Sequence, residues 1–182
     1  MLVVNMFGAP GAGKSTGAAY IFSKLKMAGV NAELVTEFAK DKVWEGSKAV
    51  FDNQAYIFGK QYFRISRLQG KVDVVITDSP ILLSSFYARD DVLGDEFDKL
   101  CTKVFGSYDS MNVFIDRVKP YNPSGRFQNE AESDELARVM QNFLEEHNVT
   151  CKHYDGSIEG YDDLVANIFE RMKCPGRSYG VR

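Results

Sequence analysis

The run Gly8-Ala-Pro-Gly-Ala-Gly-Lys-Ser15 sets three glycines, a lysine and a hydroxyl at the spacing G-x-x-x-x-G-K-[ST]. Glycines let the main chain curl tightly around a phosphate chain with several N–H groups turned inward. A helix that follows adds its positive N-terminal end. Lys14 is then within reach of β- and γ-phosphate oxygens, and the Ser15 hydroxyl can hold Mg2+. The expected nucleotide-binding residues are Gly8, Ala9, Pro10, Gly11, Ala12, Gly13, Lys14, Ser15 and Thr16, with ATP and Mg2+ as cofactors.

Phosphate binding alone does not separate phosphoryl transfer from hydrolysis. Transfer to a hydroxyl needs an acid that orients the acceptor, an acid that organises the metal, and cations over the moving phosphoryl group. Glu37 follows a candidate strand and can take the acceptor proton; the alternative is a solvated loop carboxylate. Asp78 ends a second candidate strand and can hold Mg2+ through water. It can also cap a segment starting at Ser79-Pro80. Arg117, Lys119 and Arg126 flank a loop with Pro and Gly, as in a cationic lid, the alternative being a solvated basic loop. Arg126 beside Gly125 is the first choice if one of them acts. Lys14, Glu37, Asp78, Arg117 and Arg126 form the expected catalytic set, with Ser15 and Asp78 at the metal.

These residues sit between elements that the patterning predicts. Strands are expected at 1–7, 32–36, 72–77, 111–116 and 149–154, and helices at 14–28, 47–69, 95–105, 130–147 and 161–172. Gly29 and Gly70 stop the first two helices. Strands alternating with helices predict an α/β fold of three layers, a mostly parallel five-stranded sheet flanked by helices. One domain is expected over 1–182, with a lid at about 117–130 and a loosely ordered tail at 173–182.

Composition narrows the class. The 182 residues are 45% hydrophobic and 26% charged, as in a globular domain, and the net charge of −3 provides no overall basic field. Cys101, Cys151 and Cys174 are scattered and odd in number, which argues against a disulfide framework or zinc site. Two histidines, His147 and His153, are too few for a metal cluster. No segment reads as a signal or membrane span, so a cytoplasmic protein is expected (host cytoplasm if viral), as a monomer or homodimer.

Gly8–Ser15, Glu37, Asn53-Gln54, Thr77-Asp-Ser-Pro80 and the stretch from Tyr121 to Glu132 together resemble the thymidylate kinase and deoxynucleoside kinase group. They are also similar to the nicotinamide riboside kinase domain of that superfamily. The resemblance covers about residues 1–170 and implies the P-loop kinase fold, with Glu37 as base. Phe51-Asp-Asn-Gln54 resembles the start of the helix that sets a glutamine against the substrate base, which makes Gln54 a substrate residue. The acid-Arg-Ser triplet of deoxynucleoside kinases is here Asp78-Ser79-Pro80, without the arginine. Glu33–Asp41 with Thr77–Leu83 look most like kinases of bacterial viruses, among them the 5-hydroxymethyluridine DNA kinases. The implied reaction moves the γ-phosphate of ATP to a nucleoside-type hydroxyl, such as 5-hydroxymethyluridine in phage DNA during thymidine hypermodification. Free nucleosides, nucleotides and nicotinamide riboside remain open as acceptors.

The residues themselves bear on that choice. Lys60, Arg64, Arg67 and Lys71 share one helical face without an acid, interleaved with Phe58, Tyr62 and Phe63. Cations track phosphates and aromatics stack on bases, so a nucleotide or a DNA carrying a modified base is one candidate partner, with Arg64 as a contact. The other reading is an amphipathic helix with aromatics in the core and cations in water. An NTPase without a phosphoacceptor and a regulatory nucleotide-binding module are the rival classes.

Overall fold

The computed structural model describes residues 1–38, 53–88, 92–122 and 129–173. In chain order the elements are β1 (Leu2–Phe7), α1 (Lys14–Met27), β2 (Ala32–Val35), α2 (Gln54–Ser66), β3 (Val74–Thr77), α3 (Leu83–Tyr87), α4 (Gly94–Phe105), β4 (Asp109–Asp116), α5 (Glu130–Glu146), β5 (Lys152–Asp155) and α6 (Ile158–Lys173).

The five strands form one parallel sheet in the order β2-β3-β1-β4-β5, flanked by helices on both faces: a three-layer α/β fold. β1 lies at the centre and is buried at all six positions. Leu2, Val4 and Met6 pack against Ile21 and Leu25 of α1 and Leu164 and Ile168 of α6. Val3 and Phe7 face the other way, toward Phe58 and Ile65 of α2, Phe97 and Cys101 of α4, and Met140 and Leu144 of α5. A strand covered on both faces must be apolar throughout, as β1 nearly is, so two cores meet across one sheet. β1 is flanked by β3 and β4; the chain runs from β1 out to β2 on one side and crosses from β3 to β4 on the other. That arrangement opens a crevice at the carboxyl ends of the strands, where Gly8, Glu37, Asp78 and Arg117 follow.

Several boundaries differ from the sequence expectation for local reasons. α2 starts at Gln54 because the Asn53 side chain accepts the Tyr56 N–H and caps it. Residues 47–52 of the expected helix, with Phe51 and Asp52, lie outside the described residues. β3 starts at Val74, after Asp73 N bonds Asn31 O. β4 starts at Asp109, two residues early, where Leu2 of β1 gives it a partner. Val149 belongs to the end of α5, its N–H bonded to Leu144 O past a left-handed Asn148 at φ 55°, so β5 waits until Lys152. α6 starts three residues early, at Ile158. α3 was not expected at all, and it begins at Leu83, so Asp78 does not cap it.

The amphipathic reading of α2 holds only in part. Phe58 is buried, but Tyr56, Tyr62 and Phe63 are exposed at 42%, 41% and 62%. Gly125, Arg126, Cys174 and the tail lie outside the described residues, while Cys101 is a buried thiol and Cys151 a half-buried one. No helix among the described residues is long and apolar enough to cross a membrane.

Burial leaves its mark on titration. It raises the Cys101 and Cys151 thiols from an ordinary 9.0 to about 12, Cys101 with help from the Asp98 charge. It raises the Tyr108 hydroxyl from 10.0 to about 12 as well. Above about pH 9 the unfolded chain therefore sheds protons that the folded chain keeps, and stability must fall. The urea midpoint should hold steady from pH 7 to about 8.5 and decline progressively above it; a midpoint unchanged at pH 11 would contradict this burial.

Candidate functional site

β1 ends against the sheet's carboxyl edge, and the chain must turn there at once to enter α1. Gly8 makes the turn at φ 137°, where a Cβ would stand 2.7 Å from Ile115 O. Gly13 closes the loop at φ 101° and caps α1 without any side-chain hydrogen bond. Only glycine tolerates such angles cheaply, so the loop's shape is written in its glycines. The loop is also held from outside. Ser133 Oγ of α5 donates to Pro10 O at 2.7 Å, and the Tyr161 hydroxyl of α6 donates to Gly13 O at 3.0 Å. Lys14 Nζ bends back over the loop, donating to Gly8 O at 2.6 Å and Ala9 O at 3.0 Å. Ser15 and Thr16 are exposed at the start of α1.

The acids come together one strand away. β3 pairs with β1 so that Thr77 lies beside Asn5, three residues before Gly8, which sets Asp78 at the edge of the loop. Asp78 is 3% exposed, and its Oδ1 accepts the backbone N–H of Glu37 at 2.9 Å. One hydrogen bond thus ties the end of β2 to the end of β3 and sets the Glu37 main chain against the Asp78 carboxylate. The Glu37 charge also reaches the Tyr87 hydroxyl. Burial first, and the Glu37 charge second, raise that hydroxyl from 10.0 to about 12, so it stays a neutral donor at any physiological pH.

Gln61 of α2, 2% exposed, underpins the turn. Its Nε2 donates to Thr77 Oγ1 at 3.1 Å and to Ser79 O at 2.9 Å, bracketing Asp78 on both sides. A carbonyl can only accept, which fixes the amide with Nε2 toward Ser79. Oε1 is buried and has no partner among the described residues. Gln54 lies two turns earlier on the same buried face. Arg64 supports the neighbouring segment, donating to Thr36 O at 3.0 Å with its guanidinium 5.3 Å from the Phe38 ring centre.

Arg117 follows β4 on the other side of the loop. It donates to Glu130 at 2.5 Å and to Asp134, both on α5, and lies 5.4 Å from the Tyr121 ring centre. Lys119 is exposed, and Arg126 lies outside the described residues. The structure thus groups Lys14, Ser15, Glu37 and Asp78 at one edge, with Gln54 and Arg64 on α2 beside it and Arg117 across the loop. A hydroxyl and a carboxylate are hard oxygen donors of the kind Mg2+ takes, together with phosphate and water, so Ser15 and Asp78 suit that ion. Sequence reasoning missed Gln61, Tyr87, Ser133 and Tyr161. Only Tyr87, close behind Asp78 in the chain, carried a local signal.

A family profile described as an AAA domain matches residues 3–160, and the chain belongs to that family. No curated protein matches it in sequence. Its fold is similar to that of the NadR protein in complex with NR, at TM-score 0.70 and 17% identity over 98% of this chain and 53% of that one. The chain therefore spans about half the length of that NadR protein. It is similar in fold to thymidylate kinase from Ehrlichia chaffeensis, at TM-score 0.58 and 10% identity over 94% and 98% of the two chains. Deoxyadenosine kinase from M. mycoides with bound dATP matches at TM-score 0.57 and 17% identity, over 94% and 100%.

The Gln61 bracket can be tested by stability. Gln61→Leu leaves Ser79 O and the Thr77 hydroxyl short of a donor and should cost about 1–3 kcal/mol in urea unfolding. Gln61→Glu, which sets a carboxylate against that carbonyl, should cost more.

Proposed function

We propose that this AAA-domain family member is an ATP-dependent kinase that transfers the γ-phosphate to a nucleoside-type hydroxyl. The observation that carries the reading is the Glu37 N–H bond to Asp78 beside the glycine loop. It brings an acid for the acceptor and an acid for the metal to the same edge as the phosphate cradle. Two of the structures similar in fold are kinases by name, thymidylate and deoxyadenosine kinase, and this supports the same conclusion.

In the proposed mechanism the loop amides and Lys14 hold the β- and γ-phosphates of ATP, Lys14 exchanging its contacts with Gly8 O and Ala9 O for phosphate oxygens. Ser15 and Asp78 hold Mg2+, which neutralises phosphate charge when bound. Glu37 accepts the proton of the acceptor hydroxyl as its oxygen forms the new bond to phosphorus in line with the departing ADP oxygen. The neutral Tyr87 hydroxyl, close to Glu37, steadies that carboxylate. Arg117 and Arg126 supply positive charge from the lid, which in this reading spans about 117–130 of a single domain. Arg117 must first loosen its ion pairs with Glu130 and Asp134.

Among acceptors we favour 5-hydroxymethyluridine within phage DNA. The support is the resemblance at Glu33–Asp41 and Thr77–Leu83, together with α2. There Lys60, Arg67, Tyr56 and Phe63 are exposed on one face that runs, through Arg64 and Phe38, to Glu37. A free nucleoside, a nucleotide or nicotinamide riboside would use the same Glu37 and Gln54. The AAA description of the family favours a second reading, an NTPase that hydrolyses ATP without a phosphoacceptor.

Radiolabelled transfer from γ-labelled ATP separates these readings. The panel holds free nucleosides, nucleoside monophosphates, nicotinamide riboside, and DNA with or without 5-hydroxymethyluridine. Label on the modified DNA alone is the expected result; label on free nucleosides alone sinks the DNA acceptor, and acceptor-independent phosphate release sinks the kinase. Lys14→Ala should abolish transfer, and Glu37→Gln should slow it by about 10²-fold or more. Wild-type turnover by Glu37→Gln would remove that residue from the mechanism.

A further inference from the structure

At the end of the fold away from the glycine loop, a cavity of about 380 Å³ opens between the carboxyl ends of α4 and α5 and the first half of β4. Its volume lies in the range of small-molecule sites. Its sheet side is unusual for a two-faced parallel core. Asn5, 2% exposed on central β1, donates from Nδ2 to Ser110 Oγ at 3.2 Å and Asn112 Oδ1 at 3.0 Å, and Ser110 and Asn112 both line the cavity. Burying amides under a sheet is costly unless their hydrogen-bonding capacity is used. On the helix side, Thr102 Oγ1 is buried and has no hydrogen-bond partner among the described residues. Phe105 and Tyr108 add rings, and Asn148 adds another amide. Among the described residues no Asp, Glu, Lys or Arg lines the cavity; His147 does, with its Nε2 2.9 Å from Asp98 Oδ1.

We propose that this cavity is a second binding site, for a neutral planar heterocycle of nucleobase size that carries both hydrogen-bond donors and acceptors. Neutrality follows from that lining: the one ionisable side chain in it, His147, is already matched to Asp98, so an ion there would gain no countercharge of its own to offset its desolvation. The mixture of amides and hydroxyls answers donors and acceptors alike, and the two rings offer flat apolar faces to stack on. The site shares no residue with the glycine loop or its acids and does not depend on the proposed kinase reaction.

The test is an NMR titration of the full chain with adenine, cytosine and uracil, and with guanidinium and acetate as charged probes. At least one base should shift the amides of Thr102, Asn112 and Asn148 at low millimolar concentration. Neither ion should do so. Thr102→Val keeps the shape of the side chain and removes an unpartnered hydroxyl, so its fold is expected to survive. It should weaken base binding several-fold. The proposal is overturned if no base shifts these amides, if shifts are confined to residues 8–16, if the ions bind equally well, or if Thr102→Val binds as the wild type does.

Discussion

Leu2–Phe7 is buried on both faces, so helices must cover each side of it and the chain can leave it only at its ends. At the carboxyl end there is no space for a side chain: a Cβ on Gly8 would strike the backbone of β4. The chain therefore turns on glycine, and the amides of this turn are the ones proposed to cradle phosphate. β3 and β4 pair with β1 because it is central, and their registers carry Asp78 and Arg117 to either side of the loop. Core packing and site geometry thus have one cause, the strand that cannot be exposed.

The site is held by bonds that reach far along the chain. Pro10 O is fixed by Ser133 and Gly13 O by Tyr161, so α5 and α6 both grip a loop that neither adjoins in sequence. Gln61 does the same for the turn around Asp78. Each bond joins a backbone carbonyl or a neighbouring hydroxyl, and the Asp78 carboxylate adds a tie of its own by accepting the Glu37 N–H.

That reach explains what could be read from the sequence. The glycine loop was legible because its chemistry is contiguous, and Asp78 because it ends an unmistakable buried strand. The order of helices and strands was legible from periodicity. Gln61 was not, since a glutamine inside a helix looks the same whether it faces water or a strand turn. Ser133 and Tyr161 were hidden for the same reason, their partners lying 123 and 148 residues away. On α2 the spacing was clear, but whether Tyr56 and Phe63 met core or solvent depended on packing that no local pattern encodes. The start of α2 turned on Asn53, whose capping role stood beside the resemblance that drew the eye to Gln54.

The start of α5 has a further consequence. Asn129 and Glu132 satisfy each other's backbone N–H groups, at 2.9 and 2.8 Å, and Arg117 fastens the end of β4 to the first turns of the same helix. The two fixtures differ in kind. The clasp of Arg117 is ionic, with both carboxylates largely exposed, so salt screens it. The cap rests on main-chain N–H groups and yields far less, so rising ionic strength would free the end of β4 from α5 before it frays the helix.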